Sequence, residues 1–151
     1  MIPSLNILQY PDSRLRKVAK PVKLITSEIK DLVRNMFKIM YEKGGIGLAA
    51  TQVNIHQRIV VINISQREKK DELTLINPII LSSHGVISLE ERCLSVSNRA
   101  GCILRSKFIE VKTKSLSGKE FIFHAKGLLS VCIQHEVDHL DGKLFIDYLR
   151  K

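Results

Sequence analysis

The chain has 151 residues, 44% of them hydrophobic and 26% charged, which suits one folded domain with a real core and excludes extended disorder. No apolar run is long enough to span a bilayer, and residues 1–10 lack the basic start, long apolar stretch and cleavage site of a secretion signal, so a cytoplasmic location without membrane contact is expected. The net charge of +9 fits an acidic partner such as RNA, a ribosomal surface or anionic lipid, but the basic residues are scattered, their densest cluster (67–70) is mixed with acid, and tryptophan is absent, so no sequence-specific nucleic-acid site is expected.

Residues 1–25 hold Pro3, Pro11 and Pro21 and read as an irregular arm. Thr26 or Ser27 caps a helix with Glu28 and Asp31 in its first turn. Ile29, Leu32, Val33, Met36, Phe37 and Met40 keep helical spacing, and Lys43 followed by Gly44 and Gly45 ends the helix. Residues 45–52 form a small-residue loop. β-Branched runs follow at 58–64 and at 73–81, the latter broken by Asn77-Pro78, and residues 86–96 read as extended. Residues 108–115 and 119–124 form a hairpin across Ser117-Gly118. Helical spacing returns from 128 to 139 and ends near Asp141-Gly142, and 143–149 is a short apolar tail. No linker or repeat interrupts the chain. The expected fold is a single α+β domain over 1–151, with antiparallel strands packed around the late helix.

The strongest chemical signal is Gln134-His-Glu-Val-Asp-His139. Residues four apart on a helix lie about 40° apart around its axis, so His135 and His139 can present both imidazoles to one metal ion. Glu136, beside the first ligand, is placed to take a proton from water rather than to ligate. This is the His-Glu-x-x-His pattern of metal-dependent hydrolases. A catalytic site needs a third protein ligand and an open position. No histidine follows His139, so the third ligand comes from upstream, among Cys93, Cys102, Cys132, His56, His84 and His124. An odd cysteine number argues against a disulfide framework. Cys132, one turn before His135, reads as pocket lining or core. Cys93, at a strand end with polar neighbours, leads Cys102 narrowly.

Three segments together resemble the peptide deformylase family. Gly45, Gly47, Ala49, Ala50 and Gln52 match its Gly-x-Gly-x-Ala-Ala-x-Gln motif. Glu91, Cys93, Leu94 and Ser95 match Glu-Gly-Cys-Leu-Ser, and residues 134–139 match Gln-His-Glu-x-Asp-His in full. The flanks 10–16, 77–78 and 142–145 are also similar. The resemblance implies a deformylase-like α+β fold and a hydrolase that removes the formyl group from the N-terminal methionine of nascent proteins. It implies one divalent ion, Fe2+ in the cell and replaceable by Zn2+, Ni2+ or Co2+, on Cys93, His135 and His139. Glu136 becomes the catalytic base, while Gln52 and the Leu94 backbone N–H face the oxygen that gains charge. The resemblance further places Gly45, Ile46, Gly47, Glu91 and Arg92 around the substrate, with Leu128, Val131 and Cys132 as the methionine pocket and Arg99 at the substrate's far end.

Two positions depart from the family pattern. Arg92 stands where the family has glycine, and Ser97 where a proline is common. Docking on the ribosome through a C-terminal extension is not expected from a chain that stops soon after the metal helix, and the +9 charge is a candidate substitute for it. Two alternatives compete with an active deformylase: a related amidase with a substrate preference altered by Arg92, and a basic ribosome-binding module with a structural metal.

Overall fold

The computed structural model describes residues 4–66 and 68–149. Arg67 of the basic cluster and Pro3 of the arm lie outside the described residues. Helix α1 (Ser27–Glu42) starts where the Thr26 hydroxyl accepts a hydrogen bond from the Ile29 N–H at 3.3 Å, and it ends at Lys43 followed by Gly44 at φ 72°. Such a cap contributes about 1 kcal/mol. Its apolar face, from Ile29 through Met40, is buried as the spacing predicts.

Strands β1 (Gly47–Ala49), β2 (Ile59–Ile62), β3 (Leu73–His84), β6 (Phe108–Lys114) and β7 (Glu120–Lys126) form one antiparallel sheet in the order β1-β2-β3-β6-β7. Strands β4 (Ile87–Cys93) and β5 (Val96–Arg105) form a separate antiparallel ribbon. Helix α2 (Gly127–Leu140) follows β7. Strand β2 explains the layering. Its residues alternate between two faces: Ile59 and Val61 join the core under α1, and Val60 and Ile62 join the core under α2. All four are buried, so a strand sandwiched between helices reads as an unbroken apolar run. Each such side chain stabilises the fold by roughly 1.5–3 kcal/mol.

Several boundaries differ from the sequence reading. The expected loop 45–52 holds strand β1 and a 3₁₀ turn, Ala50–Val53, because Leu48 and Ala49 pair with Val61 and Val60. Asn77-Pro78 does not end β3. Asn77 takes φ 54° at a register shift between Ile76 and Ile79, and its side chain pairs with both backbone groups of Val22 at 2.8 Å, anchoring the arm. The extended stretch 86–96 is divided by a tight turn at Leu94-Ser95, where Cys93 pairs with Val96, and β5 continues to Arg105. The tail carries a 3₁₀ turn, Phe145–Tyr148, whose Phe145 and Ile146 join Cys93, Val96 and Ile103 in a third core cluster. The hairpin β6–β7 and helix α2 stand where expected. No described helix is long and apolar enough to cross a membrane.

Candidate active site

One face of α2 presents Leu128, Val131, Cys132, His135 and Glu136 to a cleft of about 990 Å³. The opposite walls come from the β1 edge (Gly45, Ile46, Gly47, with Gln52) and from the β4 edge (Glu90 to Leu94). The cleft therefore runs between the free edges of two sheets.

Strand β4 delivers the Cys93 sulfur to the two imidazoles of α2. One ligand atom each from Cys93, His135 and His139 lie within 4.8 Å of one another, and all three residues are buried. Cys93 Sγ stands 3.2 Å from His139 Nε2. Glu91 Oε1 accepts from His135 Nδ1 at 2.9 Å, which turns the other ring nitrogen toward the cysteine. Cys102 is exposed on β5, and His84 and His124 are exposed on the large sheet, so none of them joins the group. Among the described residues this is the one cluster whose donors suit a metal.

The chemistry of the donors fits a divalent cation. A thiolate and two imidazoles are a catalytic-type ligand set that leaves a coordination position toward the cleft. Burial disfavours charge on His135, but hydrogen bonds to Cys93 and Glu91 outweigh it and raise the imidazole to about 10. Burial lowers His139 well below the usual imidazole range, with the neighbouring His135 charge adding to the effect. An imidazole ligates only when neutral, so a divalent ion held by these residues would displace the His135 proton.

Glu136 is buried, and its Oε1 has no hydrogen-bond partner among the described residues. Burial pushes its carboxyl up to about 7, against the pull of the His135 and Arg105 charges. Gly47 makes room for it: a Cβ on that residue would stand 2.6 Å from Glu136 Oε2 and 3.0 Å from Cys132 Sγ. Gln52 is held by the Ala49 N–H, which donates to its Oε1 at 2.9 Å, while its Nε2 lies 3.1 Å from Ser95 Oγ and 3.6 Å from Cys93 Sγ. The Leu94 carbonyl accepts from Gln9 Nε2 at 2.8 Å, and Ser97 Oγ donates to Gln9 Oε1 at 2.9 Å, so the arm clasps the turn after Cys93.

Two residues expected at the substrate have other partners or another place in the fold. The Glu91 carboxylate does not face the cleft as a free group. It takes two hydrogen bonds from Arg105, at 2.9 Å each, besides the one from His135. Burial alone would raise its pKa, but those bonds overcome it and hold the carboxyl below the usual range. Arg99 is exposed on β5 and is not among the residues lining the cleft. The Ile46 carbonyl already accepts from the Asn63 N–H at 2.8 Å.

Three further residues around the site carry little or no sequence signal. Arg105 is buried, and its remaining nitrogen donates to Asp138 Oδ2 at 2.7 Å, tying β5 to the metal helix. Nothing in the sequence separates this arginine from the other basic residues. Phe145 stacks on the His135 ring with centroids 5.8 Å apart. Tyr148 lies under the Arg105 guanidinium at 5.3 Å. The apolar run at 143–149 was the only hint of the last two.

Comparison with known proteins converges on one family. The polypeptide deformylase family model matches residues 4–151. A peptide deformylase of Wigglesworthia glossinidia brevipalpis is 51% identical over 146 residues, covering 97% of this chain and 95% of the relative. The crystal structure of a peptide deformylase from Legionella pneumophila superposes with a TM-score of 0.94 at 42% identity, covering 98% of this chain and 87% of that one. A Synechococcus elongatus peptide deformylase solved in complex with actinonin gives 0.95 at 38% identity, covering 99% and 83%. On the strength of the family match, the identity across nearly the whole length and the shared fold, this chain belongs to the polypeptide deformylase family.

Proposed function

We infer that this chain is a peptide deformylase: it removes the N-formyl group from the N-terminal methionine of nascent proteins and releases formate. The observation that carries this reading is the convergence of Cys93, His135 and His139 beside Glu136 at the floor of a cleft between two free strand edges. The whole chain, 1–151, acts as one catalytic domain. Cys93, His135 and His139 hold the metal, which we take to be Fe2+ in the cell, with Zn2+, Ni2+ or Co2+ as substitutes, since thiolate and imidazole donors accept all four. Such an ion, when bound, supplies a Lewis acid for water and for the formyl oxygen.

The remaining steps belong to the side chains. Glu136 Oε1, unpartnered and buried, takes a proton from the attacking water and passes it to the departing amine. Gln52 Nε2 and the Leu94 N–H donate to the oxygen that gains charge, in a site where donors fixed beforehand need no reorganisation. The peptide lies as an added strand between β1 and β4, pairing with the backbone around Gly45, Ile46 and Gly47. Its methionine enters the pocket of Leu128, Val131 and Cys132. Glu91 acts through His135, as an outer partner that fixes the ring and its tautomer. The basic surface suits work beside the ribosome in the cytoplasm, and salt-sensitive co-sedimentation with ribosomes tests that placement.

The alternatives are not favoured. Family membership accounts for the cleft without a different acyl group, and a purely structural metal does not call for an open cleft and a buried, unpaired glutamate beside it. The experiment is formate release from a formyl-methionyl peptide by metal-loaded protein, compared with Glu136→Gln at equal metal content. Loss of turnover with retained metal is expected. Equal turnover in the variant would remove Glu136 from its role.

A further inference from the structure

We propose that Arg92 biases this enzyme toward formyl-methionyl peptides whose second residue is aspartate or glutamate. The inference rests on the deformylase reading above and concerns which nascent chains the same site takes fastest.

Arg92 lies on β4 immediately before Cys93 and lines the cleft. Side chains alternate along a strand, and here Glu91 and Cys93 are buried toward the metal site while Glu90 and Arg92 are exposed on the other face. Among the described residues β4 pairs only with β5, so its second edge is free to receive a peptide. Opposite Arg92 in the ribbon is Ala100, whose small side chain leaves the guanidinium uncovered. The Arg92 side chain is 74% exposed, and its one ion pair among the described residues is with Glu90, also exposed, at a loose 3.6 Å. A pair of that kind contributes little and is easily exchanged.

The register of a bound peptide follows from the same alternation. The formyl group must sit at Cys93, and the methionine side chain points into the pocket on the buried side. The next side chain then points to the opposite side, the side of Arg92. A peptide running antiparallel to β4 passes Arg92 before Glu90, because one residue advances about 3.3 Å along a strand. The first charged group on the exposed face of β4 that the second residue meets is therefore the guanidinium, which binds a carboxylate through paired N–H donors; Glu42 and Lys43, of opposite sign, also line the cleft. Glu90 moderates the effect by competing for the same group.

The test uses full-length metal-loaded enzyme and three peptides, formyl-Met-Glu-Ser, formyl-Met-Gln-Ser and formyl-Met-Lys-Ser. The readout is the ratio of kcat/KM between the glutamate and lysine peptides, so that each variant serves as its own reference. In the natural protein the ratio should be roughly 3–10 at low salt, carried mainly by KM, and should fall toward 1 as salt screens the exposed pair. Arg92→Gln should bring the ratio near 1, Arg92→Glu should invert it, and Glu90→Gln should raise it. A ratio near 1 in the natural protein, or one that Arg92→Gln leaves unchanged, overturns the proposal while leaving the deformylase reading intact. Absence of turnover with all three peptides would instead overturn the deformylase reading.

Discussion

Replacing Glu91 with glutamine tests how the metal helix is fixed. The Glu91 side chain is 4% exposed and receives three hydrogen bonds, two from Arg105 and one from His135, each at 2.9 Å. Glutamine keeps one acceptor oxygen but turns an NH2 toward a cation and removes the charge. Breaking a buried ion pair by removing one partner costs about 3–5 kcal/mol. Arg105 retains Asp138 at 2.7 Å, so the bottom of that scale applies, about 3 kcal/mol, which lowers Tm by roughly 6–12 °C for a domain of this size. The pH dependence has a defined sign. Hydrogen bonds from His135 and Arg105 hold the folded-state pKa of Glu91 below that of an ordinary glutamate, so its contribution is fully present above the unfolded value and is lost as pH falls through the folded one. The difference between Glu91→Gln and the natural protein should therefore be largest near neutral pH and shrink in acid. Metal affinity, measured by chelator competition, should fall about 10- to 100-fold because His135 loses the acceptor that fixes its tautomer. Unchanged stability near neutral pH together with unchanged metal affinity would refute the reasoning.

Other perturbations probe separate parts of the site. Burial raises the Glu136 carboxyl, to about 7 before any metal is bound, and a carboxylate accepts a proton only when ionised, so kcat/KM should rise with pH through the titration of this group and Glu136→Gln should abolish that rise; the same rise in the variant would contradict its role as base. Gly47→Ala places a Cβ against Glu136 Oε2 and Cys132 Sγ, and should lower kcat about 10- to 100-fold by displacing the base, as such small misplacements do, with metal content per chain unchanged. Phe145→Ala removes the ring stacked on His135 and opens the third core cluster; unfolding by denaturant should show a loss of about 3–5 kcal/mol, and a value below about 1 kcal/mol would mean the tail is not packed as described.

Sequence reading recovered the parts of this protein that a local pattern encodes. α1 was legible because a capping threonine, a sustained apolar face and a terminal glycine all agree. α2 was legible because the two histidines and the glutamate need helical spacing to work. β5 was not, since a two-stranded ribbon with Ser97, Asn98 and Arg99 exposed has no continuous buried face to impose alternation. β1 was read as loop because three residues are too few to show a period, and its identity comes from pairing with β2. Within the site, Cys93 needed the motif comparison to lead Cys102, because spacing does not distinguish two cysteines on neighbouring strands. Motif membership places Glu91 near the substrate but does not say which groups its carboxylate meets. Its actual partners, Arg105 and His135, are 14 and 44 residues away in sequence, and such separations leave no local trace.

The central claim is that one metal ion on Cys93, His135 and His139 makes this chain a deformylase. It is tested most directly by titrating metal-free protein with Ni2+ or Co2+ and following formate release from a formyl-methionyl peptide. The account predicts that activity rises linearly and breaks at one ion per chain, and that Cys93→Ala gives no comparable rise. Turnover that does not depend on added metal, or full turnover by Cys93→Ala, would contradict it.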